Sequence, residues 1–526
     1  MREYVSVARI WSVPLLMLGV ATVAQGQAAT EAGVQVLTRG PVHEAFAEAS
    51  MTGAKAGVII EKTPYDPITE LPPDQRPEGA NVAWIPGYWS WDDDRSDFIW
   101  VSGVWRDLPP GRQWVPGYWA LAGGGSQWIS GFWGDVAQTE VTYLPPPPEP
   151  LEAGPSSPPP APDNLWTPGS WIWQQTRYDW QPGYWVMEQP DWVWSPAHYT
   201  WTPRGYVYVP GYWDHDIVHR GVMFAPVYYE QPVYRRPSYS YSPSIVIDLT
   251  AIVACLFVHP RSHQYYYGDY YDRRYEDRGF YPWYSKQAMR YGPDPIYMHY
   301  RSAQLRRDPH WDIHVDKQYK HRRDHVDARP PRTLALQVNS INNRRAGARE
   351  NIIIGRSLNE AARSNTLPRR FTPVRMDERK EIEARGREVH KFQSERARIE
   401  APTKAPGRSQ RARTTAQPVR MQLPASPVAA SPTENVTGVR TPPPMPVAPR
   451  PQTTEPTGRQ DRPRKAEARS EAKRESSKGE TPRPEARSQQ PERKTQPHRT
   501  EPQEQKGNGK RRSGTEDSKH KKSRKK

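Results

Sequence analysis

Cysteine is nearly absent from this 526-residue chain: Cys255 stands alone, which excludes an intramolecular disulfide and a cysteine-based zinc cage. Its neighbours Ile252, Val253, Leu256 and Phe257 mark a packed, inert thiol. Hydrophobic residues are also scarce, at 35%, against 59 prolines, and mean hydropathy is −0.91. Such a chain cannot bury enough apolar surface to order its full length, so one large compact enzyme is excluded. Nucleotide-binding Gly-x-x-x-x-Gly-Lys-Ser/Thr and Gly-x-Gly-x-x-Gly motifs are missing, as are a Gly-x-Ser-x-Gly elbow and a His-Glu-x-x-His zinc motif.

Long apolar runs are few. The first, Ile10 to Ala24, follows Arg2 and Arg9 and ends in small residues through Ala28 and Ala29. It is shorter than the roughly 20 residues of a membrane span and has the layout of a cleaved secretory signal over 1–28. An exported protein of the periplasm, cell envelope or extracellular space is expected. The second run, 245–258, carries Asp248 and predicts a buried strand or helix segment, so no transmembrane span is expected in the mature chain.

Negative charge is scarce only at one end. Residues 401–526 hold 30 Lys/Arg against 13 Asp/Glu, which exceeds the +16 net charge of the whole chain. The same stretch has 19 prolines, one leucine and no aromatic residue. It predicts a long disordered, Pro-rich basic tail and argues against nucleic-acid binding by the remainder.

Tryptophan, by contrast, is abundant and ordered in sequence. Of 21, 18 lie between Trp84 and Trp213. They form Trp-x-x-Gly-x-Trp units starting at Trp84, Trp100, Trp114 and Trp128, and again at Trp166, Trp180, Trp194 (degenerate, with Ala197 and Tyr199) and Tyr208. Within each set of four the spacing is 14 residues except for an initial 16, a true internal repeat. Pro-Gly in the middle of a unit suits a type II turn, with positive φ at glycine. On that reading Ile85-Pro86-Gly87-Tyr88 is a turn, Trp84 faces Trp89 across it, and Trp192 lies opposite Trp201. Alternating pairs such as Trp89 and Trp91, or Trp171 and Trp173, share one strand face. The fold class expected is mainly β: short-stranded, aromatic-rich antiparallel repeat modules, with some helix after 300.

These units resemble the WXXGXW (YXWGXW) repeat family of exported bacterial proteins of uncharacterised function. The resemblance extends to the lead-in 37–46 and the follow-on 220–228, and implies no catalytic residues. The expected layout is a lead-in at 29–83, repeat modules at 84–135 and 164–215 with a Pro-rich spacer at 136–163 between them, a Tyr-rich mixed region at 216–330 and a helical and linker region at 331–400. Within these, 310–328 and 375–400 suit helices, the second highly charged with few apolar anchors.

Two uses suit the repeat aromatics. Trp84, Trp89, Trp100, Trp105, Trp114, Trp119, Trp128, Trp133, Trp166, Trp171, Trp180, Trp185 and Trp213 either form the core, because little else can, or present a face that stacks sugar rings. His310, His314, His321 and His325 fall near one face of a helix and are the metal candidates, although surrounding arginines and lysines would repel a cation. The turn Asp92-Asp93-Asp94 reads as solvated and paired with Arg95. No cofactor is expected. The expected function is a non-catalytic envelope scaffold whose basic tail tethers it to an anionic polymer, with carbohydrate binding as the alternative; a metal enzyme within 218–330 is the third class. Partners are an anionic envelope polymer or polysaccharide, another protein, or a second copy through β-edge pairing.

Overall fold

The computed structural model describes residues 33–48, 55–343, 352–363, 368–401, 417–430 and 441–453. The expected signal sequence and most of the expected basic tail lie outside the described residues. The fold is mainly antiparallel β, with its α-helices from residue 249 onward. No helix among the described residues is long and apolar enough to cross a membrane.

Consecutive repeat units pair with each other. In the first pair, Val82–Ile85 lies against Val104–Asp107 with Trp84 opposite Trp105. Tyr88–Asp92 lies against Asp97–Val101 with Trp89 opposite Trp100 and Trp91 opposite Phe98. This is one long hairpin whose tip is the acidic turn and whose ladder breaks midway at Pro86-Gly87 and Ser102-Gly103. The same pattern recurs with Trp114 opposite Trp133 and Trp119 opposite Trp128, then Trp166 opposite Trp185 and Trp171 opposite Trp180. In the last pair Trp194 faces Trp213 and Tyr199 faces Tyr208.

The expected turn is thus corrected. Trp84 does not face Trp89, and Trp192 and Trp201 lie opposite His215 and Tyr206. None of the seven motif glycines has positive φ. Proline has no N–H to give the ladder, so the Pro-Gly step interrupts a hairpin instead of closing one. The polar segments between units make the tips. The expected shared faces hold: Trp171 meets Trp180 at 5.1 Å and Trp173 meets Tyr178 at 4.8 Å between ring centroids.

The Pro-rich stretch 136–163 is not a spacer. Glu140–Leu144 pairs with Gly205–Val209 on one side and with Val419–Gln422 on the other. Two stretches of the expected tail therefore belong to the fold, because its carbonyls and few N–H groups complete sheet edges left open by the repeats. Val428 and Ala430 are buried, and Trp114 N donates to Val428 O while Ala430 N donates to Arg112 O.

The apolar run resolves into strand Ile245–Ile247, helix Leu249–Val253 capped by Asp248, and strand Leu256–His259. Cys255 between them is buried and free, and burial pushes its thiol up to about 11. Both expected later helices form, at Trp311–Asp324 and Met376–Glu400. The second buries Ile382, Gly386, Val389, Phe392, Arg396 and Ile399, spaced by three or four residues along one stripe.

Candidate functional site

The breaks of the first three hairpins are small polar sites among aromatic rings. Where the ladder stops, the glycine N–H groups lose their backbone partners, and buried N–H groups must find others. In the first pair a buried carboxylate does this: Glu70 accepts from Gly87 N at 2.8 Å, from Gly103 N at 3.0 Å and from Trp100 Nε1 at 2.6 Å. In the second, Glu44 accepts from Gly117 N at 3.0 Å, Gly131 N at 3.2 Å and Trp128 Nε1 at 3.1 Å. In the third, Glu152 accepts from Gly183 N at 2.9 Å and Trp180 Nε1 at 3.4 Å. Burial pushes the Glu70 and Glu44 carboxyls up to about 7, against the opposing pull of their N–H donors.

The clamps arrive on Pro-containing segments. Trp89 Nε1 donates to Asp66 O, just before Pro67, and Trp171 Nε1 donates to Glu149 O, just before Pro150. The carboxylate follows three or four residues later. Carbonyls of the first two breaks are met from the other side: His43 Nε2 lies 3.1 Å from Pro86 O, Gln393 Nε2 donates to Gly117 O at 2.7 Å and Arg396 Nη1 to Pro116 O at 2.8 Å. The charged helix is held here. Arg396 and Glu400 are both fully buried and paired at 2.9 Å, and Tyr118 and Tyr143 hydroxyls donate to Glu400.

Glycine is required by close approach. A Cβ at Gly103, Gly131 or Gly211 would come within 2.5 Å of the indole of Trp84, Trp114 or Trp194, respectively. At Gly117 it would come within 2.6 Å of Trp128. The first tryptophan of each unit covers the glycine of its partner unit. The degenerate unit fits the same rule: Tyr208, which lacks the second ring, stands opposite Tyr199, the register position of the covering tryptophan in the other hairpins, and alanine replaces glycine at 197.

Of the thirteen candidate tryptophans, Trp84, Trp89, Trp100, Trp105, Trp114, Trp133, Trp171, Trp180 and Trp213 are buried. Trp119, Trp128, Trp166 and Trp185 are half-buried. The four histidines do not converge. His314 pairs with Asp308 at 2.7 Å, His321 and His325 stack at 4.4 Å, and His310 precedes the helix. Among the described residues, Asp191, Asp216 and His219 are the group that brings three ligand atoms within 4.8 Å of one another. Sequence spacing did not reveal it, since Asp191 lies in a repeat hairpin apart from the other two.

A cleft of about 430 Å³ lies between the first two hairpins and the Tyr-rich sheet. Trp91, Trp119 and Trp128 line one wall; Tyr266, Tyr270 and Phe280 line the other. At its rim Asp92 pairs with Arg95 at 2.5 Å, as expected. Asp94, however, gathers Arg39 at 2.6 Å, Arg278 at 3.3 Å, Arg274 at 3.5 Å, Arg332 at 3.6 Å and the Tyr275 hydroxyl. Burial works upward on the Asp94 carboxyl, but the Tyr275 and Arg39 donors outweigh it and hold it below its ordinary range. His259, lining the same cleft, is lowered to about 4 by burial and is neutral. Aromatic walls with donors and acceptors at the rim suit a polar ligand with apolar faces.

No curated protein and no solved structure matches the chain. The WXXGXW repeat model matches residues 79–106, 114–133, 165–186 and 190–214, which are the four hairpins just described. Over these four segments the chain carries the WXXGXW repeat.

Proposed function

We propose that this chain is a non-catalytic, exported cell-envelope scaffold whose repeat hairpins form a rigid body and whose basic C-terminal end tethers it to an anionic envelope polymer. One observation carries the reading: the recurring chemistry of the repeat is spent inward. Its tryptophans cover glycines, its N–H groups close on a carboxylate, and nine of the thirteen candidate rings are buried. The charge that remains for a partner is concentrated in the last residues, from Lys510-Arg511-Arg512 to Lys525-Lys526.

Co-sedimentation of the full chain with an anionic cell-wall polysaccharide across a salt series tests this. Binding should fall steeply between about 50 and 500 mM salt, because surface charges are screened. It should also be lost when the lysines and arginines of 510–526 are changed to glutamine. Salt-independent binding that survives those changes would sink the tether.

The cleft supports a second reading, carbohydrate binding, now placed on Trp91 and Trp119 and not on the buried repeat rings. Salt-resistant retention on a neutral polysaccharide, abolished by Trp91→Ala with Trp119→Ala, is its expected signature. Retention unchanged by both substitutions would dismiss it.

A further inference from the structure

Six of the thirteen residues at 441–453 are proline. The segment therefore has few N–H groups and cannot build a regular ladder, while its carbonyls stay available. It lies on the third and fourth hairpins. Trp213 Nε1 donates to Pro444 O at 3.1 Å, and Gln181 Nε2 donates to Pro449 O at 2.9 Å. Trp180 and Gln452 exchange both backbone hydrogen bonds, at 3.0 and 2.7 Å. The segment's two large apolar side chains contribute little, Val447 being 93% exposed and Met445 60%, while Pro442, Pro443, Pro446, Pro449 and Pro451 are half-buried. What is read is the backbone of a proline-rich chain.

The same module reads a second such chain in the same way. The Tyr178 hydroxyl donates to Pro145 O at 2.6 Å and Trp171 Nε1 to Glu149 O at 3.0 Å. Aromatic N–H and O–H donors aimed at the carbonyls of an extended proline-rich peptide are the general chemistry of polyproline recognition. A seat that reads carbonyls, half-buries proline rings and leaves the larger side chains in solvent tolerates many proline-rich sequences.

We propose that the hairpins at 164–215 form a binding surface for an extended proline-rich peptide of another protein, and that residues 441–453 are its resident occupant, displaced when that peptide binds. The resident is tethered, so its local concentration is high, on the order of millimolar. A free peptide binds well only when the resident is loosened.

The test uses the full chain. Pro444→Gly, Pro446→Gly and Pro449→Gly together loosen the resident. A fluorescent peptide copying residues 441–453 is then titrated, followed by anisotropy, with circular dichroism confirming the fold. The loosened chain should bind the peptide at least about tenfold more tightly than the unmodified chain. A copy with every proline changed to alanine should bind about tenfold more weakly. Gln181→Leu, added to the loosened chain, should weaken binding severalfold. Absence of binding to a folded loosened chain, equal binding by both chains, or equal binding of the proline and alanine peptides would each overturn the proposal. So would dimerisation of the unmodified chain reversed by excess peptide, which would assign the seat to a second copy's tail.

Discussion

A tryptophan ring over a glycine is the smallest unit of this fold, and it makes the two residues interdependent. At Gly131 an added methyl would meet Trp114 at 2.5 Å. Gly131→Ala should therefore cost about 1–3 kcal/mol by overpacking. Trp114→Tyr removes the ring atoms in the way, imitating the Ala197 and Tyr208 arrangement. Urea unfolding of the two single variants and the double variant should show a favourable coupling; strict additivity would mean that the contact does not explain the glycine. The carboxylate beneath the rings makes a second claim. Glu70 has a folded-state value of about 7 against an ordinary 4.5, so the folded chain holds a proton that the unfolded chain releases. Its contribution is full below about pH 4.5 and is lost as pH rises through 7. Glu70→Gln sets an amide N–H₂ against a glycine N–H and should destabilise the chain at low pH by about 1–3 kcal/mol. The variant has no proton to lose, so its deficit should shrink by up to about 3 kcal/mol between pH 4.5 and 8. A deficit that widens with pH would reverse the sign assigned to Glu70.

The helix Met376–Glu400 shows how an element that is marginal alone becomes fixed. It has few apolar anchors, but acidic Asp377 and Glu378 open it and Arg398 lies in its last turn, which suits the helix dipole. Its inner side supplies donors to the second hairpin break, Gln393 to Gly117 O and Arg396 to Pro116 O. Arg396→Ala leaves Glu400 buried without its cation and should cost about 3–5 kcal/mol. Arg396→Met with Glu400→Leu should recover most of that loss. If Arg396→Ala leaves the urea midpoint unchanged, the helix is not held by this pair. Among the elements, both later helices and the strand faces were legible because local periodicity states them. The partner of each strand was not: Trp-x-x-Gly-x-Trp admits a turn at its centre or a break in a longer hairpin. The choice lies with Glu44 and Glu70, which sit outside the motif, and with Glu152 in what reads as a spacer.

At the scale of the whole molecule, charge and order are segregated. Residues 1–400 are nearly neutral while 401–526 carries the excess positive charge, yet 417–430 and 441–453 return to the hairpins as edge covers. Hydrogen exchange should show Ala430 and Gln452 amides slowed well below unstructured rates, since they donate to Arg112 O and Trp180 O. Exchange at free-peptide rates would mean that those edges stand open. By itself, the amino-acid sequence determined the repeat, the aromatic faces, the late helices and the inert Cys255, because each depends on neighbours within a few residues. The tertiary structure decided which units pair, which carboxylate enters which break, and where the Pro-rich segments lie. Those choices depend on N–H groups and indole rings that must be satisfied by residues up to hundreds of positions away, and no local pattern records such a partner.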